Sequence, residues 1–289
     1  MRDADVVVVL LRHGQIASHR GDVALTAEGA RTARRAGHAL AATLRADSAG
    51  ARAGPVRVLS GSTLRARQTA EHLTAALRAA AAGHDAQDQP GGIHITAPRV
   101  AFALRNPDLY LAGERVDMVS SPEALAAQVP GLASEQCAAH PFFATFMGHT
   151  DRIGWWLTHP SPPGDDARAV VTRMRAFVAS LLDLPAPRGT VIAVTHSPLV
   201  RAVGLACGEE DAGEPAHLSG YLLAARADTS GDTSPTTAFA GRLDSVEVTG
   251  ARFDPFSHSL AAALRRARPL RDVGGPVDRT DAAGLTGSC

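Results

Sequence analysis

The sequence predicts an α/β protein built on a mainly parallel sheet with helices on both faces. Two observations carry this. Short continuous runs of apolar, β-branched residues mark buried strands, residues 6–11 most plainly. Segments of helical periodicity lie between them, and strands that alternate with helices build parallel sheets. The chain has 289 residues, 45% of them hydrophobic, enough for one large domain or for a domain with a substantial insertion.

The first strand, 6–11, runs straight into Arg12-His13-Gly14. Thr26 is placed to cap a helix reaching about Leu44, with Glu28 near its positive end. A second strand at 56–60 leads to Ser62 or Thr63, which cap a helix reaching about Ala80. Further strands are expected at 93–96, 191–195 and 243–248. Asp165 and Asp166 open a helix in which Val170, Val171, Met174, Val178 and Leu181 recur at helical spacing. Another helix, 199–206, follows the fourth strand. Between about 97 and 164 the rhythm breaks into turn signals and short helical pieces, with Phe142-Phe143 and Trp155-Trp156 among them. This stretch reads as a cap inserted over the carboxyl edge of the sheet, its aromatics forming its own core. Residues 82–92 and 228–237 read as surface loops. The whole is expected to be one domain, 1–268, followed by a loosely ordered tail, 269–289.

Composition excludes several function classes. The formal net charge is zero, which gives no electrostatic pull toward nucleic acid or a membrane surface. All 29 basic Lys+Arg positions are arginine, so a lysine Schiff base or lysine general base is excluded. Three scattered cysteines, Cys137, Cys207 and Cys289, suit neither a disulfide framework nor a zinc site, and Cys207 reads as a core residue. The opening apolar run is too short for a signal peptide, and no segment approaches a membrane span. A cytoplasmic protein is expected.

The chemistry concentrates at strand ends. Arg12 and His13 place a cation and an imidazole at the carboxyl end of a buried strand, where open α/β sheets form ligand sites. Arginine suits phosphate, and histidine can attack phosphorus or move a proton. Arg65 falls in the first turn of a helix, beside amide groups that favour anions. A second buried strand ends in His196-Ser197-Pro198.

Taken in order, Arg12-His13-Gly14, Leu25-Thr26-x-x-Gly29, Leu64-Arg65-Ala66-x-Gln68-Thr69-Ala70 and Val194-Thr195-His196 resemble the histidine phosphatase superfamily, specifically its phosphoglycerate-mutase-like branch. The second histidine is followed by Ser197 rather than aspartate, which favours this branch over the phytase-like one. The resemblance implies a three-layer α/β/α sandwich and a phosphohistidine intermediate. His13 would be the nucleophile, and Arg12, Arg65 and His196 would hold the phosphoryl oxygens. No metal or other cofactor is expected, because arginines and histidines supply the positive charge that phosphoryl transfer needs.

Three positions depart from the family pattern. Asn106 stands where a carboxylate usually protonates the leaving oxygen, so Asp108 or Glu114 is expected to take over, with Asp108 slightly favoured. His19 stands where asparagine often touches phosphate and could still donate a hydrogen bond. Pro163-Gly164-Asp165-Asp166 replaces a loop that family members use near the site, and here it reads first as a helix cap. Arg67 reads as a solvated charge, while His149 and His159 could line the pocket from the cap. The expected activity is hydrolysis of a small phosphorylated metabolite, with neither nucleic acid nor membrane as partner and room for a homodimer. A phosphoglycerate-type phosphomutase and a phospho-ligand-binding pseudoenzyme are the alternatives.

Overall fold

The computed structural model describes residues 5–18, 21–48, 54–82, 94–184, 189–227 and 246–273. Its centre is a seven-stranded mixed sheet. Strands β1 (Val6–Arg12), β2 (Val56–Ser60), β3 (Arg99–Val100) and β6 (Gly189–Thr195) are mutually parallel in the order β3-β2-β6-β1. Strands β7 (Gly220–Ala227), β8 (Val246–Phe253) and β9 (Arg268–Pro269) extend the sheet beyond β1 by antiparallel pairing.

Both faces of the sheet are covered, which is why β1 is apolar at every position rather than at alternate ones. Val6, Val8 and Leu10 point into one core, together with helices α7 (Ala167–Ser180) and α8 (Ser197–Ala206). Val7, Val9 and Leu11 point into the other, with α1 (Ala27–Ser48), α2 (Leu64–Ala82) and α9 (Leu260–Arg266). The result is the expected three-layer α/β/α arrangement.

Helix starts follow the capping residues read from sequence. The Thr26 hydroxyl accepts from the Gly29 amide at 2.9 Å, and Asp166 accepts from Ala169 at 2.7 Å. Cys207 is buried in the core, as expected.

Three expectations change in detail, and one strand is added. The strand foreseen at 93–96 reduces, in its described part, to a single bridge from Ile95 to Val56, and the edge strand lies later, at β3. Residues 243–245 fall outside the described residues, and the last long strand runs from Val246 to Phe253. Strand β7 was not foreseen. Its sequence, GYLLAARA, lacks clean alternation because Leu222 and Leu223 face opposite cores. The tail does not loosen at Pro269: β9 pairs with β8, Leu270 is buried, and Arg175 holds the Leu270 carbonyl and Asp272. Residues 274–289 lie outside the described residues, as do the expected loops at 228–237 and nearly all of 82–92.

The cap begins after β3. It comprises a hairpin of β4 (Leu109–Leu111) and β5 (Glu114–Val116), then short helices α3 (Pro122–Ala126), α4 (Ser134–Ala139), α5 (Pro141–Gly148) and α6 (Arg152–Thr158). Its aromatics pack on one another: the Phe142 ring meets Phe143 edge-on at 5.1 Å, and Trp156 is fully buried. Among the described residues no helix is long and apolar enough to cross a membrane.

Candidate active site

The carboxyl ends of β1, β2 and β6 meet at one edge of the sheet. Arg12 lies in register with Thr195, the His13 amide donates to the Thr195 carbonyl at 2.9 Å, and the Gly61 amide donates to Val194 at 2.9 Å. His13 and His196 therefore emerge side by side, with ring centroids 5.4 Å apart. Helix α8 starts immediately after His196 and presents its amide end there.

The motif residues between these points hold the frame. Thr69 accepts from the Gly14 amide at 2.9 Å and donates to the Arg65 carbonyl at 2.6 Å. Gln68 accepts from the Leu25 amide at 2.8 Å. Together they clamp the loop after β1 onto α2. Gly29 lets α1 press against that loop, since a Cβ there would stand 2.3 Å from the Gln15 carbonyl oxygen. Gly61 serves the same end: a Cβ would come within 3.1 Å of His196 Nε2 and 2.8 Å of the Leu104 carbonyl oxygen. These contacts explain why the ordered motifs contain glycine, threonine and glutamine as well as the charged groups.

Arg12, His13, Arg65 and His196 all line one cavity of about 490 Å³. His13 Nδ1 lies 2.8 Å from the Gly14 carbonyl oxygen. A carbonyl only accepts, so Nδ1 carries the hydrogen and Nε2 keeps its lone pair. Burial, with Arg65 and Arg12 nearby, holds His13 down at about 3 despite the Gly14 hydrogen bond. The ring is therefore a neutral base at neutral pH. Burial, then the charges of Arg65, His13 and Arg12, lower His196 well below the ordinary histidine range. Both of its ring nitrogens are buried without a hydrogen-bond partner, as are Arg12 Nε and Arg65 Nε. Unpartnered buried polar atoms are costly, and here they belong to residues that line one cavity with His13.

Both arginines also pair with carboxylates. Arg12 pairs with Glu214 at 2.6 Å and donates to the Pro215 carbonyl. Arg65 faces Asp22 at 3.8 Å, and Asp22 also accepts from the Leu64 amide at the start of α2. The start of α8, with Ser197 and Pro198, and the loop at Gly213 and Glu214 add to the cavity wall, and the remainder comes from the cap. Met118, Val119, Phe146 and Ile153 are apolar, while Asn106 and Arg152 are polar.

Neither proposed acid reaches this cavity. Asp108 is buried elsewhere, gripped by Arg105 and Arg115. Burial alone would raise its carboxyl, but hydrogen bonds and charges from both arginines outweigh this and hold it at about 2. The two arginines thus favour its ionised form, outside the cavity lining. Glu114 is exposed on the β4–β5 hairpin, away from the cavity lining. His19 lies outside the described residues. Asp165 accepts from the Asp108 amide at 3.0 Å and pairs with Arg173 at 2.6 Å, so it fastens the cap instead of lining the site. Arg67 is exposed, as expected. His149 bonds to the Asp151 backbone, and His159 packs 4.7 Å from the Trp155 ring, so neither lines the cavity.

Three nearby residues escaped the sequence reading: Glu214, Ser197 in its role as a partner of Glu214, and His217, whose ring lies 6.1 Å from His13. They lie at or beyond the start of α8, and Glu214 closely follows an acidic stretch, Glu209-Glu210-Asp211, that reads as solvated surface. Only the return of the chain through Leu218, whose φ of 63° is unusual for leucine, brings that loop against Arg12.

No protein-family model and no curated protein sequence matches the chain. Among solved structures it is similar to a mycobacterial glucosyl-3-phosphoglycerate phosphatase, at 18% identity over 86% of this chain and 98% of that one, with a TM-score of 0.49. It is also similar to a phosphoglycerate mutase from Bacillus anthracis, at 17% identity over 75% of this chain and 87% of that one, with a TM-score of 0.44. Residues of three of the motifs read in the sequence, Arg12 and His13, Arg65, and His196, line the cavity, and the fourth, Leu25–Gly29, is bonded to Gln68 and packs against the loop after β1.

Proposed function

We propose that this protein is a phosphatase that hydrolyses a small-molecule phosphomonoester through a phosphohistidine on His13. One observation carries the reading: His13, whose Nε2 keeps its lone pair, lines one cavity with Arg12, Arg65 and His196, which carry buried, unpartnered nitrogens. A phosphoryl group is the ligand that such a set fits. Its equatorial oxygens accept from the guanidinium groups while the imidazole attacks phosphorus. The dianion's charge offsets that of the two arginines, so His196 can take up a proton and donate it to an oxygen. Covalent capture splits one displacement into two, and water attacks phosphorus in the second. The apolar cap wall of Met118, Val119, Phe146 and Ile153 suits a leaving group with organic bulk.

Purified protein offered p-nitrophenyl phosphate and a panel of phosphometabolites tests this. Phosphate release that survives EDTA and is lost in His13→Ala supports it. Activity retained in His13→Ala overturns the phosphohistidine mechanism. Transfer between positions without phosphate release indicates a mutase instead. Tight phosphate binding without turnover indicates a binding protein, a reading that the distance of Asp108 and Glu114 from the cavity favours.

A further inference from the structure

We infer that Glu214 is the acid and base of this site, giving a proton to the leaving oxygen and later taking one from water. The inference rests on the phosphatase reading above. It starts from a chemical gap. Alkoxides and phenoxides are poor leaving groups without a proton, and the position where the family pattern places a carboxylate holds Asn106. Asp108 and Glu114 are outside the cavity.

Among the described residues lining the cavity the carboxylates are Asp151 and Glu214. Asp151 is committed. It caps α6 through the Gly154 amide at 3.0 Å and grips Arg201 with both oxygens, at 2.7 and 2.6 Å. Arg201 holds its carboxyl down at about 2. Glu214 is differently placed. One oxygen meets Arg12 at 2.6 Å, and the other accepts from Ser197 Oγ, also at 2.6 Å. Ser197 directly follows His196, so the carboxylate is held at the mouth of α8, between the phosphate-binding arginine and the second histidine. Its side chain is 47% exposed, open to the cavity and to an incoming water.

The groups facing Glu214 come from two elements. They are Arg12 from β1, with Ser197 and Arg201 from α8, the latter at 3.8 Å. Arg201 is already claimed by Asp151 and Asp211. A phosphoryl group held by Arg12 would therefore stand beside this carboxylate, within the same cavity.

The steps balance as follows. His13 Nε2 bonds to phosphorus, the bond from phosphorus to the leaving oxygen breaks, and that oxygen takes the Glu214 proton. Water then attacks phosphorus and yields its proton to the Glu214 carboxylate. The phosphorus–nitrogen bond breaks with its electron pair returning to Nε2, and phosphate leaves.

A series of aryl phosphates tests the assignment, read as kcat/KM so that only steps up to phosphohistidine formation count. p-Nitrophenol leaves readily as its anion, whereas phenol needs a proton. Glu214→Gln should lose about 100-fold or more on phenyl phosphate and less than about 5-fold on p-nitrophenyl phosphate. Glu214→Asp, which keeps an acid, should recover part of the phenyl phosphate rate. Equal losses across the series would assign Glu214 to holding Arg12 alone and overturn the inference, as would no loss at all. If Glu214→Gln fails to fold, the series is read on Glu214→Asp, where the set-back carboxyl should penalise phenyl phosphate first and a uniform effect counts against the inference. His13→Ala, run in parallel, fails or stands independently, so a wrong nucleophile and a wrong acid are told apart.

Discussion

Replacing Asp108 by asparagine should cost stability at neutral pH and leave the leaving-group preference unchanged. Arg105 Nε donates to both Asp108 oxygens at 3.0 Å, its terminal nitrogen donates again, and Arg115 donates from the other side. This grip lowers the carboxyl from its ordinary 3.8 to about 2. The drop corresponds to about 2 kcal/mol at pH 7, trimmed somewhat by solvent around Arg115. Because the folded value lies below the unfolded one, that stability is fully present above about pH 4 and fades as pH falls toward 2. Urea unfolding of the wild type and Asp108→Asn should therefore differ by about 2 kcal/mol at pH 7 and by under about 1 kcal/mol at pH 2.5. The aryl phosphate series should keep its wild-type slope in the variant. Equal stability at pH 7, or a gap that stays constant with pH, would refute the clamp. A steepened slope would return Asp108 to the catalytic site.

Two further outcomes follow from the frame of the site. In Gly29→Ala the new Cβ would stand 2.3 Å from the Gln15 carbonyl oxygen, so the loop after His13 must move; the loss should be about 3 kcal/mol, with reduced kcat, and a melting temperature equal to wild type would count against the contact. His13 is held neutral down to about 3, so its ring carbon and proton signals in two-dimensional NMR should stay unprotonated from about pH 8 to pH 5. A midpoint near the ordinary histidine value would contradict the burial and tautomer described above.

Much of the fold was legible because local and global signals agree in the parallel half of the sheet. The strands at 6–11, 56–60 and 191–195 are buried on both faces, so their apolar runs are continuous and easily read. Capping by Thr26 and Asp166 is a local matter, settled within three residues. The antiparallel half was harder. In β7 the pairing with β1 and β8 supplies what the sequence pattern lacks, and β9 has only two residues. The candidate site divides in the same way. Arg12, His13, Arg65 and His196 each lie at a strand end or helix start, where position follows from the element itself.

By itself the sequence determined that a buried strand ends in Arg12-His13 and that Arg65 and His196 occupy comparable ends. Those are short-range consequences of apolar runs, caps and turns. Only the tertiary structure decided which carboxylate stands near them. Asp108 is two residues from Asn106 and was the natural substitute, yet Arg105 and Arg115 turn it away from the cavity and keep it ionised. Glu214 is 201 residues beyond His13 in number, and it reaches Arg12 because β7 pairs with β1 and draws the preceding loop across the strand ends. A charged side chain carries no periodicity of its own. Its place depends on the charges that the folded chain brings to meet it.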